Sequence, residues 1–348
     1  MIETKDLTGP GVATDLVPLR FRLVELGPLA GDQASKALAL NNQAEVVGSS
    51  FGVDTGTRPA RWGHDHVVKP LLTPPATMNS VAQGISEVGE IVGSAIVDGS
   101  THPLRWDRAG SLTFLSESEE GNGWVFGIND SGRGIGDTPM IGSPRAAIWE
   151  RDGSYSLLPL PEDAIVSEAR GISGYGHVIG DALVHGKTRA IRWLPSGESK
   201  ILTLPPGYRE SAAIGISEAL DVVGTIRDPR GSDFAAYWRT NGVVTVLGTL
   251  PGDTTSTAFA VNSLGWVVGR SLSPGGMTTR AFFWTEGTGM LDLSELIENA
   301  PGDFTLAAAH DINEAGQIVC DGTVNGLGRG FLLEPIYHVE KGRLGGAR

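Results

Sequence analysis

The chain has 348 residues, a length that by itself suggests two or three domains. Its formal net charge of −13 argues against a nucleic-acid partner, because proteins that bind a phosphate backbone concentrate Lys and Arg. Glycine is abundant (49 residues), only 19 % of residues are charged and 40 % are hydrophobic, a balance suited to many short strands joined by turns around an ample core.

In chain order, the N-terminus MIETKDLTGPGVATDLVPLRF lacks an apolar core of signal-peptide length. No later segment approaches a membrane span, so a soluble cytoplasmic protein without a membrane partner is expected. Cys320 is the only cysteine, which excludes an internal disulfide and a cysteine metal cluster. Lying in an apolar strand, it reads as a small buried thiol.

A strand opens on a small residue at Ala37, Ala82, Val125, Ala169, Ala213, Ala258 and Ala309, with spacings of 45, 43, 44, 44, 45 and 51 residues. Each copy has Asn or Ser at its fifth place, from Asn41 to Asn313, and five have Gly three residues later, where a short hairpin loop needs positive φ. About twenty-five residues into the copy comes an aromatic anchor (Trp62, Trp106, Trp149, Trp193, Trp238, Trp284), replaced by Leu333 in the last. Arg precedes the anchor by four residues in five copies (Arg58, Arg145, Arg189, Arg280, Arg329), a register suited to binding loop carbonyls or carboxylates. Four strands per unit of roughly 45 residues is the period of a propeller blade.

The last copy stops after its third strand, while an orphan fourth-strand phrase, 25-ELGPLAGDQASKA-37, precedes the first and matches 246-VLGTLPGDTTSTA-258. The expected fold is therefore an all-β, seven-bladed β-propeller of four-stranded blades, with the N-terminal strand completing the last blade. Residues 1–18 are expected to form an arm, 19–335 the single propeller domain and 336–348 a tail.

These phrases, above all 256-STAFAVNSLGWVVG-269 followed by 280-RAFFW-284, resemble the HAF-type repeat of bacterial β-propeller-like proteins. The resemblance covers about residues 20–335 and implies architecture but little chemistry. Such repeats are met in proteins labelled extracellular, whereas this chain shows no export signal. No catalytic residue carries over from it.

In a propeller the first strand of each blade lines the axis, and small residues there are a packing rule. The departures from it are the candidate site. One inner-strand position reads Leu38, Gln83, Phe126, Arg170, Ile214, Phe259 and His310. The next place is Ala or Gly in six blades and Asp311 in the seventh. Two residues upstream, toward the face that carries the long crossings, stand Lys36, Trp124 and Glu168. These groups are expected to border a polar and aromatic pocket at the loop-rich mouth of the central channel.

His310, Asp311 and Arg170 are the catalytic candidates. Asp311 and Lys36 are placed to hold a tautomer of His310, which would act as general acid or base. Lys36, Gln83, Trp124, Phe126, Glu168, Phe259, His102 and Tyr208 are the substrate-binding candidates; His102, leading a third strand, and Tyr208, in a crossing, are expected near the mouth. The long crossing 293-LSELIENAPGDFTLAAA-309 is expected to form one helical turn capped by Ser294, and the run 117-ESEEGNG-123 a solvated loop.

No dinucleotide, phosphate-loop or nucleophile-elbow motif is present, and His64-Asp65-His66 lies away from the proposed mouth. No cofactor and no metal is expected. Two functions compete: a cofactor-free cyclase, isomerase or lyase acting on a medium-sized organic molecule, in a setting such as specialised metabolism, and a binding module whose loop-rich face docks a protein or glycan. A polysaccharide lyase or glycosidase is a weaker third, since it needs paired carboxylates in a groove.

Overall fold

The computed structural model describes residues 17–18, 20–115, 123–140, 143–298 and 300–337. Most of the expected N-terminal arm and C-terminal tail, the acidic run as far as Asn122, and Asn299 lie outside the described residues.

Each repeat folds into four antiparallel strands. In blade 1 they are Ala34–Leu40, Val46–Gly52, Gly56–Trp62 and Val68–Pro70; in blade 6, Thr255–Val261, Val267–Leu272, Thr279–Thr285 and Gly289–Asp292. Apolar pairs such as Val267-Val268 and the run Ala281–Trp284 sit in the middle strands, buried on both faces because each blade is sandwiched between two others. Outer strands are short and half exposed, which limits the free edge they present.

The inner strands lie one against the next all the way round, and Phe304–Ile312 of blade 7 meets Ala34–Leu40 of blade 1, closing a seven-bladed propeller. The hydrogen-bonded sheets number six only because one parallel pair, Thr57 with Asn79, links blades 1 and 2. Closure uses both ends of the repeat region. Arg20–Leu26 runs antiparallel to Leu327–Ile336, from Arg20 opposite Ile336 to Leu26 opposite Gly330, and becomes the outer strand of blade 7. Phe21 and Phe331 are fully buried there.

The crossing into blade 7 departs from its expected form. It makes a 3-10 turn over Leu293–Leu296, capped by Asp292 rather than Ser294: the Asp292 carboxylate accepts from the Ser294 N–H at 2.9 Å. Ile297–Glu298 then pairs in parallel with Phe21–Arg22, adding a fifth strand to the last sheet. Leu293 and Leu296 are buried under it.

The repeated side chains strap the ring together. The indoles of Trp62, Trp106, Trp193 and Trp238 donate to the carbonyls of Gly27, Leu72, Pro159 and Thr203 at 2.7–2.9 Å, each just past the outer strand of the preceding blade. The Arg register ties third strands to crossings, as Arg58 does with Asp32 and Arg280 with Asp253, or to the outer strand, as Arg329 does with Glu25. Asn41, Asn129, Asn262 and Asn313 cap their own hairpins with Oδ1, while Nδ2 donates to the main chain of the next blade at Ser86, Ser173, Asn313 and Asn41.

Candidate functional site

Two sequence facts shape the axis. Each inner strand carries a bulge after its opening small residue, as at Ala37/Ala39 and Ala169/Gly171, and neighbouring inner strands come close at the place that follows the variable residue. A Cβ added to Gly215 would sit 2.3 Å from the Phe259 carbonyl oxygen, and one on Gly84 2.9 Å from that of Phe126. Glycine alone fits at those two positions without a shift, and no blade but one carries more than Ala at this place. The exception occurs at the seam where blade 7 meets blade 1.

Asp311 occupies that seam. Its Oδ2 accepts from Leu40 N at 3.0 Å and its Oδ1 from Ile312 N at 2.9 Å. Burial pushes its carboxyl up to about 7, and the charge of Glu87 adds to the shift against the pull of the two N–H groups. Both oxygens are occupied by main chain, so Asp311 latches the ring rather than orienting His310 as the sequence suggested.

A cavity of about 540 Å³ runs along the axis. Its walls are the variable row, Leu38, Gln83, Phe126, Arg170, Ile214, Phe259 and His310, and its rim is the row of hairpin turns that includes Asn42, Glu87, Asp130, Glu218 and Glu314. The cavity therefore opens on the hairpin face, which corrects the expectation of a pocket at the loop-rich mouth. Lys36, Trp124 and Glu168, two residues nearer the crossings, are not among its walls, and neither are His102 and Tyr208. Its size is ordinary for a small-ligand site.

The rim carboxylates act first as caps between blades. Glu87 accepts from Asn42 N, Asp130 from Glu87 N, Glu218 from Gly174 N and Glu314 from Ser263 N, at 2.8–3.1 Å. At the seam Asn42 plays the same part, accepting from Glu314 N at 2.9 Å. Burial raises the Glu87 carboxyl, and the charges of Asp130, Glu218 and Glu314 raise it further, so the rim is a negative collar.

Below the collar the candidates fall into two groups on opposite sides of the ring. At the seam, the His310 ring stacks on Phe259 with centroids 5.7 Å apart. Its Nε2 lies 3.1 Å from Asp321 Oδ1, a close polar contact without the alignment of a straight hydrogen bond. Lys36 Nζ lies 3.3 Å from the other oxygen of Asp321, so Lys36 meets Asp321 and not Asp311.

Between blades 3 and 4, Arg170 pairs with Glu168 and lies 5.2 Å over the Phe126 ring. Asp137 and Asp181 sit behind this pair. Burial first, then the negative charge of Glu168, pushes each carboxyl up to about 6, while Arg170 pulls the other way. Gln83, on the blade 2 wall, makes no side-chain hydrogen bond to any described residue.

The remaining candidates lie outside the channel. His102 meets Phe114 of its blade's outer strand edge-on at 5.9 Å. Tyr208 meets Phe234 at 6.4 Å and joins the apolar cluster around Ala213 and Trp238. Trp124 starts its strand opposite Asp137, 37 % exposed and outside the cavity.

Asp137, Asp181 and Asp321 were not singled out from sequence, although their signal is plain once sought. All three follow the second-strand residue that faces the opening small residue: 134-GIGDT-138, 178-VIGDA-182 and 318-IVCDG-322. The corresponding place is Ser49, Ser94, Thr225 or Arg270 in the other blades. Among the described residues, no group of three or more His, Cys, Asp or Glu is arranged to hold a metal ion, and no helix is long and apolar enough to cross a membrane.

No family model matches the sequence, and no curated protein is similar to it, so the HAF resemblance rests on the repeat phrases alone. Solved structures are similar in fold. A streptogramin B lyase matches with a TM-score of 0.58 at 13 % identity, over 91 % of this chain and 99 % of that one. Virginiamycin B lyase from Staphylococcus aureus matches at 0.56 and 14 % identity, over 90 % and 99 %. YCF48 bound to D1 peptide matches at 0.55 and 11 % identity, over 95 % and 100 %. Propellers of this shape thus include enzymes acting on small molecules and a peptide-bound protein.

Proposed function

We propose that this chain is a small-molecule enzyme whose central channel admits a medium-sized organic molecule from the hairpin face. It carries out a cofactor-independent, non-redox step there, of the cyclase, isomerase or lyase kind, in a setting such as specialised metabolism. The observation that carries the reading is the channel itself. Apolar and aromatic walls surround three polar side chains, Gln83, Arg170 and His310, that converge from different blades.

The chemistry follows from those groups. Arg170 and Gln83 polarise an oxygen of the bound molecule, while the aromatic faces of Phe126 and Phe259 fix its orientation. His310 takes a proton through its free ring nitrogen. It returns that proton elsewhere on the same molecule to give an isomer or a ring-closed isomer, or passes it to the departing group in an elimination. The negative collar of Glu87, Asp130, Glu218 and Glu314 disfavours anions, so the substrate is neutral or cationic.

A second reading, a binding module without chemistry, is favoured by one observation: Arg170 is already neutralised by Glu168. Mass-balanced profiling separates the two. A small-molecule extract of the source cells is incubated with the wild-type protein and with His310→Ala. Catalysis predicts a compound consumed only by the wild type, with a product of equal mass or two products whose masses sum to it. A compound retained unchanged by both proteins supports the binding module and removes the enzyme.

A further inference from the structure

The His310 ring is confined by two elements. Phe259 covers one face, and Asp321, from the second strand of the same blade, approaches Nε2 to 3.1 Å from behind. Nδ1 makes no hydrogen bond to any described residue, while the ring forms part of the channel wall. Among the seven blades, only this one sets an acid at that second-strand place behind a histidine at the variable place.

We propose that Asp321 is the positioning residue of the channel histidine: it keeps the ring proton on Nε2 and leaves Nδ1 as the base facing the bound molecule. This rests on the enzyme reading above. A neutral imidazole carries one N–H, and a carboxylate beside Nε2 favours the proton there, which places the lone pair on Nδ1. Asp321 can do this because it keeps its charge. Burial pushes its carboxyl up, but the contacts with His310 and Lys36 hold it below the usual carboxylate range.

Lys36 tempers the effect. By sharing the Asp321 carboxylate it offsets part of the negative charge that faces the ring. The other charged groups around the ring are Arg270, 5.4 Å over the far partner Phe259, and Asp311, whose oxygens are held by main-chain N–H groups. Removing Asp321 and removing Lys36 should therefore act in opposite directions. A role limited to packing has no such sign.

The test is a proton NMR titration of the His310 ring in the full-length protein without ligand, with the signal assigned by its loss in His310→Gln. In Asp321→Asn, a change of equal size, the ring is expected to lose its proton about one pH unit lower, a tenfold change in proton affinity. Lys36→Met is expected to move it upward, and Asp321→Glu to restore the wild-type curve. An unchanged titration in Asp321→Asn, or shifts of the same sign in Asp321→Asn and Lys36→Met, overturns the assignment. If Asp321→Asn fails to fold by near-UV circular dichroism, Lys36→Met carries the same test alone. Because no substrate is present, failure here is separate from failure of the extract profiling, which bears on catalysis.

Discussion

The carboxylate of Asp311 accepts the main-chain N–H of Leu40 at 3.0 Å across the seam between blades 7 and 1. The one side chain larger than Ala at the place after the variable residue thus joins the first inner strand to the last. In Asp311→Ala the Leu40 N–H loses its acceptor, and unfolding stability is expected to fall by about 1–3 kcal/mol. The loss should be larger at mildly acidic pH than above neutrality, because the wild-type carboxyl, pushed up to about 7, carries a buried charge at higher pH. Urea unfolding at two pH values reads both effects.

The carboxyls of Asp137 and Asp181 set a second pH dependence. Both are pushed up to about 6 from 3.8, so between these values the folded chain holds protons that the unfolded chain has released. Stability from this source is complete below about 4 and declines as pH rises through about 6, on the order of 3 kcal/mol for each carboxyl. Asp32 and Asp321 run the other way: their carboxyls lie below the ordinary value, and their contribution is lost only as pH falls beneath about 4. Thermal unfolding is expected to show a higher midpoint at pH 5 than at pH 8, and Asp137→Asn with Asp181→Asn should reduce that difference to the part set by Asp311. An unchanged profile in the double variant removes these two residues as the cause.

Close approach at the bulge makes its own prediction. A Cβ on Gly180 would lie 1.9 Å from the Glu168 carbonyl oxygen. Gly180→Ala must displace the inner strand of blade 4 and is expected to cost about 1–3 kcal/mol, measured by chemical denaturation. The contrasting case is Ala44, which stands at φ 57° where five other hairpins have Gly. Ala44→Gly is expected to be neutral or to stabilise by up to about 1 kcal/mol.

Much of the architecture was legible because repetition is a global signal. Seven aligned copies fixed the blade count, and the orphan N-terminal phrase fixed how the ring closes. The site was legible only in part. Gln83, Phe126, Arg170, Phe259 and His310 were found because they vary at one inner-strand place that the fold turns toward the channel. The partner of His310 was assigned to Asp311, its neighbour in the chain, when Asp321 from the paired strand supplies it. Pairing across strands brings together residues that a reading along one strand keeps apart. Which face the cavity opens on also depends on the spacing between seven strands, and no single copy encodes it.

The location of the site is tested most directly by obstructing the channel and sparing the opposite mouth. Ile214→Trp fills the channel wall, whereas Trp124→Ala trims the loop-rich face, and the compound consumed by the wild-type protein serves as the probe. Loss of conversion in Ile214→Trp with conversion retained in Trp124→Ala is the predicted result. Conversion that survives Ile214→Trp and disappears in Trp124→Ala would contradict a channel entered from the hairpin face.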